Sequence, residues 1–379
     1  MSVGTDNLRA WAEVNLARLE RNLAHIRAAL PPHLRYVAVV KADAYGHGLA
    51  AVAARLMRAG ADVFALANLD EAAALREVGL GWPVLILSAI LPGERARVPA
   101  LDVMPTLSSV DEANAFADLA ARRGRKIRVH LKVDTGMGRL GIWHTQFEEL
   151  RSAVAAAPGL ELAGVFTHFS SAGSNDEVTE TQRRRFLKAV QPVARPGLLI
   201  HADNSAGIGS FPEGGPFNGV RIGLLQFGVR PAGGTFLDRV HVEPVLSLHA
   251  RVGLVKNLPA GTRVSYDGTF KLRRPSRIAV LCAGYADGLP TRLSNRGQVL
   301  IAGRRCPIIG RVTMDQTLLD VTDLPEAPQP GERATLIGED GGQVLTVNDF
   351  ARAADQVAWE VFCTVSKRVR RVYTRDSAT

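Results

Sequence analysis

Cysteine is scarce: Cys282, Cys306 and Cys363 are the only three among 379 residues. An odd number at wide, irregular spacing excludes a disulfide framework and offers no metal-type cluster, so a reduced, cytosolic protein without a metal is expected. Long apolar runs are also missing. None approaches the roughly 18 residues that cross a bilayer as a helix, so no membrane partner is expected. Residues 1–7 have neither the basic start nor the apolar stretch of a secretion signal, which fits a cytoplasmic location. Aromatic residues are few, at 6%, and are not interleaved with basic ones. With no helix-turn-helix or zinc-finger spacing either, the net charge of +9 does not imply a nucleic-acid partner. Lysine is rare as well: seven of the 46 basic residues, the rest being arginine. Basic clusters occur at 122–126 and 367–371; the first reads as a solvated helix end, and a phosphate-bearing small ligand or plain solubility accounts for the charge.

What remains is an ordinary globular composition, 46% apolar and 22% charged. The length suggests two domains. From residue 36 to about 228, short apolar segments of strand type alternate with Ala/Leu/Arg-rich segments of helical period. Strands are expected over 36–40, 63–67, 84–88, 103–107, 127–133, 160–167, 198–201 and 219–223. Helices are expected over 48–59, 69–78, 110–123, 145–157 and 177–190. Eight strands, several of them near-continuous apolar runs and each followed by a helix or room for one, spell an α/β fold: an N-terminal (β/α)8 TIM-type barrel over residues 1–240. Beyond it, Gly and Pro cut short β-type runs at 247–255, 277–282, 298–301, 306–312 and 333–337, and one late helix covers 349–365. This is read as a mostly-β C-terminal domain over 241–379. Residues 8–15 are expected to form a strand that pairs with it.

In such barrels the chemistry projects from the C-terminal ends of the strands. The first strand ends in Lys41, within Val40-Lys41-Ala42-Asp43-Ala44-Tyr45-Gly46-His47-Gly48. An amine there is costly to desolvate unless it is used covalently or paired, with surface decoration as the alternative. The fifth strand brings Lys132 on the same face as His130, then a glycine-rich loop and Arg139, a residue suited to a carboxylate or phosphate. The alternative is a turn carrying a surface arginine. The sixth ends in Thr167-His168, the seventh in His201-Ala202-Asp203-Asn204-Ser205-Ala206-Gly207, the eighth in Arg221-Ile222-Gly223. Ser205 and the Gly223 amide match the phosphate site that barrels build after strands seven and eight.

Together these residues resemble the alanine racemases, pyridoxal-phosphate enzymes of fold-type III. The resemblance rests on the Lys41 segment, on 132–141, His168, Asn204-Ser205-Ala206, Arg221-Ile222-Gly223, Val264-Ser265-Tyr266, Gly284-Tyr285-Ala286-Asp287-Gly288 and Met314-Asp315-Gln316, in that order, and spans 10–373. It implies that Lys41 holds pyridoxal phosphate covalently and later serves as one catalytic base. Tyr266 is implied as the opposite base, reaching the active site of the other subunit of a homodimer. It implies further that Arg221 faces the cofactor ring nitrogen, that His168 links Arg221 to Tyr266, and that Tyr45, Asn204, Ser205, Gly223 and Leu224 belong to the cofactor site. Arg139 and Met314 are implied on the substrate side, Tyr285 at the entrance, and Lys132 as the lysine often carbamylated in this family. The implied reaction interconverts L- and D-alanine, supplying D-alanine for peptidoglycan, with serine or another small amino acid as the alternative substrate. Three positions depart from the pattern: Trp359 stands where a tyrosine is usual, Arg370 where proline is, and Asp203 where alanine is common.

Overall fold

The chain opens on β1 (Ala10–Asn15), which belongs to the second of two units. The computed structural model describes residues 4–208, 215–230 and 240–374. The first unit, residues 19–44 and 49–243, is built on parallel strands. These are β2 (Arg35–Val39), β3 (Val63–Leu66), β4 (Val84–Ile86), β5 (Thr106–Leu107), β6 (Ile127–Asp134), the short β7 (Ile142–Trp143), β8 (Leu160–Phe166), β9 (Leu199–His201) and β10 (Gly219–Ile222). They pair in the order β4-β3-β2-β10-β9-β8-β6-β5, with β7 beside β6. The ring closes where Met104 donates to the Val84 carbonyl at 2.7 Å and accepts from the Ile86 amide at 3.0 Å. This is the expected (β/α)8 barrel.

The strands are short and apolar because both of their faces are covered; every side chain of β3 and β4 is buried. Helices between them start on caps that the sequence provides. Asn68, Ser109 and Asn175 each accept main-chain N–H groups at the heads of Leu69–Val78, Val110–Arg123 and Asp176–Val190. Gly124 ends the second of these in the left-handed conformation.

The inward faces of β6, β8 and β9 meet on the barrel axis. Phe166 stacks on His201, with centroids 4.9 Å apart, and His130 lies edge-on to His201 at 5.5 Å. Gly164 makes room for them, since a Cβ there would lie 2.3 Å from His130 Cε1 and 2.7 Å from the Leu199 carbonyl oxygen. Gly164→Ala is therefore expected to cost about 1–3 kcal/mol by overpacking, read as a lower midpoint in urea unfolding. An unchanged midpoint would refute that account.

The second unit comprises residues 1–18, 45–48 and 244–379. Its spine is β11 (Leu246–Leu258), followed by β12 (Arg263–Val264), β13 (Phe270–Lys271), β14 (Ser276–Leu281), β15 (Gln298–Ile301), β16 (Arg304–Pro307), β17 (Thr317–Asp320), β18 (Arg333–Asp340), β19 (Gln343–Leu345) and β20 (Arg370–Thr374). Strand β11 pairs antiparallel with β1, β14 and β18, while β1 also pairs in parallel with β20. Two expectations shift. The strand expected over 306–312 lies earlier, at β16. The late helix is two, Val347–Ala354 and Ala358–Thr364, because Asp355 turns left-handed at φ 55° and its amide closes on the Ala351 and Arg352 carbonyls.

Candidate active site

Lys41 follows the end of β2, where Val40 still donates to Ala65 of the neighbouring segment at 3.0 Å. The chain then does something unusual. Ala42, Asp43, Ala44 and Tyr45 all take left-handed backbone, φ 53–54°, with no glycine among them. Each costs on the order of 1–2 kcal/mol, a strain characteristic of functional sites. Carboxylates hold the turn in place: Glu71 Oε1 accepts from the Ala42 amide at 2.6 Å and its Oε2 from Ala67 at 2.8 Å. Asp43 Oδ1 accepts from the Leu49 amide at 2.7 Å, fixing the next helix to the turn.

The middle of the barrel mouth is cationic. Lys132 is buried at the end of β6 with Nζ 5.4 Å from the centre of the Phe166 ring, which also faces the Arg221 guanidinium at 5.4 Å. Burial, then Arg221 and Arg139, push the Lys132 amine down to about 8, with Lys41 adding to the effect and Asp134 opposing it. Burial and the same cations, Arg221 first, push His168 down to about 3, so its ring is neutral at neutral pH. Electrostatics thus ties Lys41, Lys132, Arg139, His168 and Arg221 into one neighbourhood. The loop that carries Arg139 is shaped by Asp134, whose Oδ1 accepts from the amides of Gly136, Met137 and Gly138 at 2.9, 3.0 and 3.2 Å.

Arg221 is itself buried, and both of its terminal nitrogens, Nη1 and Nη2, are engaged. It donates to His201 Nδ1 at 2.9 Å, to His168 Nδ1 at 3.2 Å, and to the carbonyls of Thr167, His201 and Ala202 at 2.9, 3.2 and 2.8 Å. Burial lowers it to about 10, so it remains charged at neutral pH. Both histidines accept at Nδ1 and therefore carry their hydrogens on Nε2. On the far side, His201 Nε2 reaches His130 Nδ1 at 3.4 Å.

Beside Arg221, Ser205 Oγ accepts from the Gly223 amide at 3.1 Å, so the ends of β9 and β10 converge. Asn204 shapes this turn, its Oδ1 accepting from the Ala206 and Gly207 amides at 3.1 and 3.0 Å. Leu224 is buried at the head of the 3-10 turn Leu224–Phe227, with Gly223 as its N-cap.

The second unit carries Tyr45, Tyr266, Tyr285 and Met314. Burial pushes the Tyr45 hydroxyl up to about 12, with Cys363 adding to it, so it keeps its proton and can donate. Tyr266 is 68% exposed on a turn between two left-handed residues, Ser265 and Asp267. Ser265 Oγ donates to the Arg311 carbonyl at 2.6 Å, and Asp267 pairs with the Arg311 side chain at 2.9 Å. Arg311 leads on to Met314, whose carbonyl accepts from Ala286 at 3.0 Å while Tyr285 donates to Thr313 at 2.9 Å. The turns of Tyr266, Met314 and Tyr285 are thus one connected cluster, and all three side chains are exposed.

Sequence reasoning overlooked several supporting groups. Among them are Glu71, in the first turn of a helix, and Asp134, the last residue of β6. Arg371, within the basic cluster 367–371, donates to the carbonyls of Gly46, Val365, Ser366 and Val369 at 2.6–2.9 Å. Among the described residues no helix is long and apolar enough to cross a membrane, and no group of three or more His, Cys, Asp or Glu side chains could hold a metal.

A parallel barrel with a cationic mouth is thus followed in the chain by a mostly-β domain. The N-terminal domain model of alanine racemase matches residues 14–231 and the C-terminal domain model residues 245–373. The chain belongs to the alanine racemase family. It is 40% identical to the alanine racemase of Symbiobacterium thermophilum over 98% of this chain and 99% of that one, and 38% identical to that of Methylacidiphilum infernorum over 96% and 92%. Among solved structures, alanine racemase of Clostridium difficile 630 superposes with a TM-score of 0.90 at 31% identity, covering 98% of this chain and 97% of that one. The enzyme from Bacillus anthracis with bound L-Ala-P gives 0.88 at 33%, over 97% and 95%. That from Bartonella henselae with covalently bound pyridoxal phosphate gives 0.86 at 28%, over 97% and 99%. The activity is therefore interconversion of L- and D-alanine, and serine as the preferred substrate is not favoured.

Proposed function

We propose that this racemase works with two bases, Lys41 and Tyr266, on opposite faces of the alanine α-carbon, and that it holds pyridoxal phosphate at the barrel mouth. The cationic neighbourhood of Lys41, Arg139 and Arg221 carries the reading, because such a cluster suits an anionic cofactor together with a substrate carboxylate. The donor set fits the cofactor. Lys41 supplies the amine, Ser205 with the Gly223 and Leu224 amides the phosphate donors, and Tyr45 a hydroxyl that stays protonated. When bound, pyridoxal phosphate supplies an electron sink for the charge left on the α-carbon.

The chain's own groups do the rest. Inverting a stereocentre requires removing a proton from one side and returning one from the other, hence two bases. Lys41 Nζ serves one face and the Tyr266 hydroxyl the other. Arg221 would serve the ring-nitrogen end of the cofactor and, unlike a carboxylate, would not favour a proton there, which would limit side reactions such as transamination. His168, neutral and held by Arg221 at Nδ1, keeps a hydrogen on Nε2 with which it would serve the Tyr266 hydroxyl of a second copy of the chain. Arg139 and the Met314 amide take the substrate carboxylate, and Tyr285 lines the entrance.

The three exposed non-polar side chains Tyr266, Tyr285 and Met314 support a homodimer in which a second copy of the chain covers them and each active site is shared. The neutral Lys132 amine adds to carbon dioxide, forming an N–C bond and releasing a proton to solvent, and the resulting carbamate orients Arg139. An amine lowered to about 8 has enough neutral form for that, and an intact mass of the protein kept in bicarbonate, greater by one carbon dioxide in wild type but not in Lys132→Ala, is the check. The direct test of function is racemisation by purified protein with added cofactor. Alanine is expected to turn over faster than serine by on the order of tenfold to a hundredfold; unchanged optical purity of alanine sinks the reading.

A further inference from the structure

The turn that carries Ser205 rests on a buried ion pair that none of the roles above uses. Arg183, on the Asp176–Val190 helix, is 2% exposed and Asp203, directly after β9, is wholly buried. Arg183 Nη2 donates to Asp203 Oδ1 at 3.1 Å, and the guanidinium lies over the Phe169 ring at 4.9 Å. We infer that Arg183 and Asp203 are positioning residues for the Ser205 turn, and that through it they set how firmly the phosphate is kept. This inference rests on the cofactor reading above.

Three observations support it. The Asp203 carbonyl accepts from the Arg221 amide at 3.0 Å, so this residue ties the end of β9 to β10, whose next turn provides Gly223. The turn also closes around the carboxylate, since a Cβ on Gly207 would come within 2.9 Å of Asp203 Oδ1 and 3.3 Å of Phe169 Cδ2. Finally, the pair is poorly saturated. Among the described residues Asp203 Oδ2 and Arg183 Nη1 have no hydrogen-bond partner, and Arg183 Nε has only Glu180 at 3.7 Å. A buried pair joined by one hydrogen bond contributes little net stability against its desolvation, whereas it fixes direction well. The charged groups facing the Asp203 carboxyl are Arg183 from the helix and Arg221 from β10, with Glu180 beyond Arg183; His201, on its own strand, is held neutral by burial and Arg221. Burial pushes Asp203 up to about 6 against the pull of those arginines. The carboxylate is therefore fully present above that value and is lost as pH falls through it.

The test measures release of pyridoxal phosphate from holoenzyme on dilution, racemisation at saturating cofactor, and the thermal midpoint. In Arg183→Met, release is expected to be about tenfold faster with kcat changed less than about twofold. The double variant Arg183→Met with Asp203→Ala should recover the thermal midpoint but not the retention. Asp203→Asn keeps a hydrogen bond and cannot ionise, so its release should rise less than that of wild type between about pH 7 and about pH 5.5. The titration of the cofactor phosphate is common to both proteins and drops out of the comparison. Unchanged release in Arg183→Met, or parallel pH curves for wild type and Asp203→Asn, overturns the inference; the pH comparison decides if Arg183→Met does not fold. Wild type that neither binds the cofactor nor racemises alanine would instead sink the reading on which it rests.

Discussion

Lys41→Ala is expected to lower racemisation by at least on the order of 10⁴-fold, because in the proposed scheme one amine is both the attachment point and a base. The same variant should lose the visible absorption of a lysine-bound aldehyde. Its fold should be intact or slightly more stable, since the substitution removes one positive charge from a mouth that also holds Lys132, Arg139 and Arg221. Lys132 makes this test sharp. It is a second amine in the same neighbourhood, lowered to about 8 and so partly neutral. An absorption band that survived in Lys41→Ala but vanished in Lys132→Ala would reassign the attachment point and undo the scheme.

Tyr266→Phe should slow the reaction by about 10²–10⁴-fold. The hydroxyl is on a 68% exposed side chain, and the turn is held by Ser265, Asp267 and Arg311, not by the phenol, so a folding defect is not expected. L- and D-alanine are mirror images of equal free energy, so kcat/KM from either enantiomer must fall together. Separate initial rates from each, at saturating cofactor, read the effect. Near wild-type rates would show that the phenol moves no proton, leaving a single base. A deficit seen only in KM would assign Tyr266 to binding.

Much of the barrel could be read from the sequence because its strands are buried on both faces, and a continuous apolar run ended by turn residues is a strong signal. The expected helices over 69–78 and 110–123 coincide with Leu69–Val78 and Val110–Arg123, where a side-chain cap opens each element and Gly124 closes the second. The late helix was misread for the converse reason. Asp355 breaks it by adopting left-handed backbone without being glycine, so nothing in the composition marks the interruption. The same applies beside Lys41. Residues 42–45 lack glycine, and the carboxylate that holds their first amide comes from Glu71, far along the chain. Polar residues at strand ends announced the site itself, but the groups that hold them announced nothing. Asp134 and Arg371 act on main-chain atoms, and a contact to a carbonyl or an amide leaves no partner to recognise in a sequence.

The run from Ala42 to Tyr45 has a wider meaning. Its backbone has the handedness that D-residues favour, so an enzyme that makes D-alanine keeps, directly after Lys41, a mirror-image turn assembled from L-residues. The segment opposes the chain's own chirality and persists only while its neighbours hold it. Loss of order in this protein should therefore begin beside the lysine, and catalysis should fail on heating before the barrel as a whole unravels.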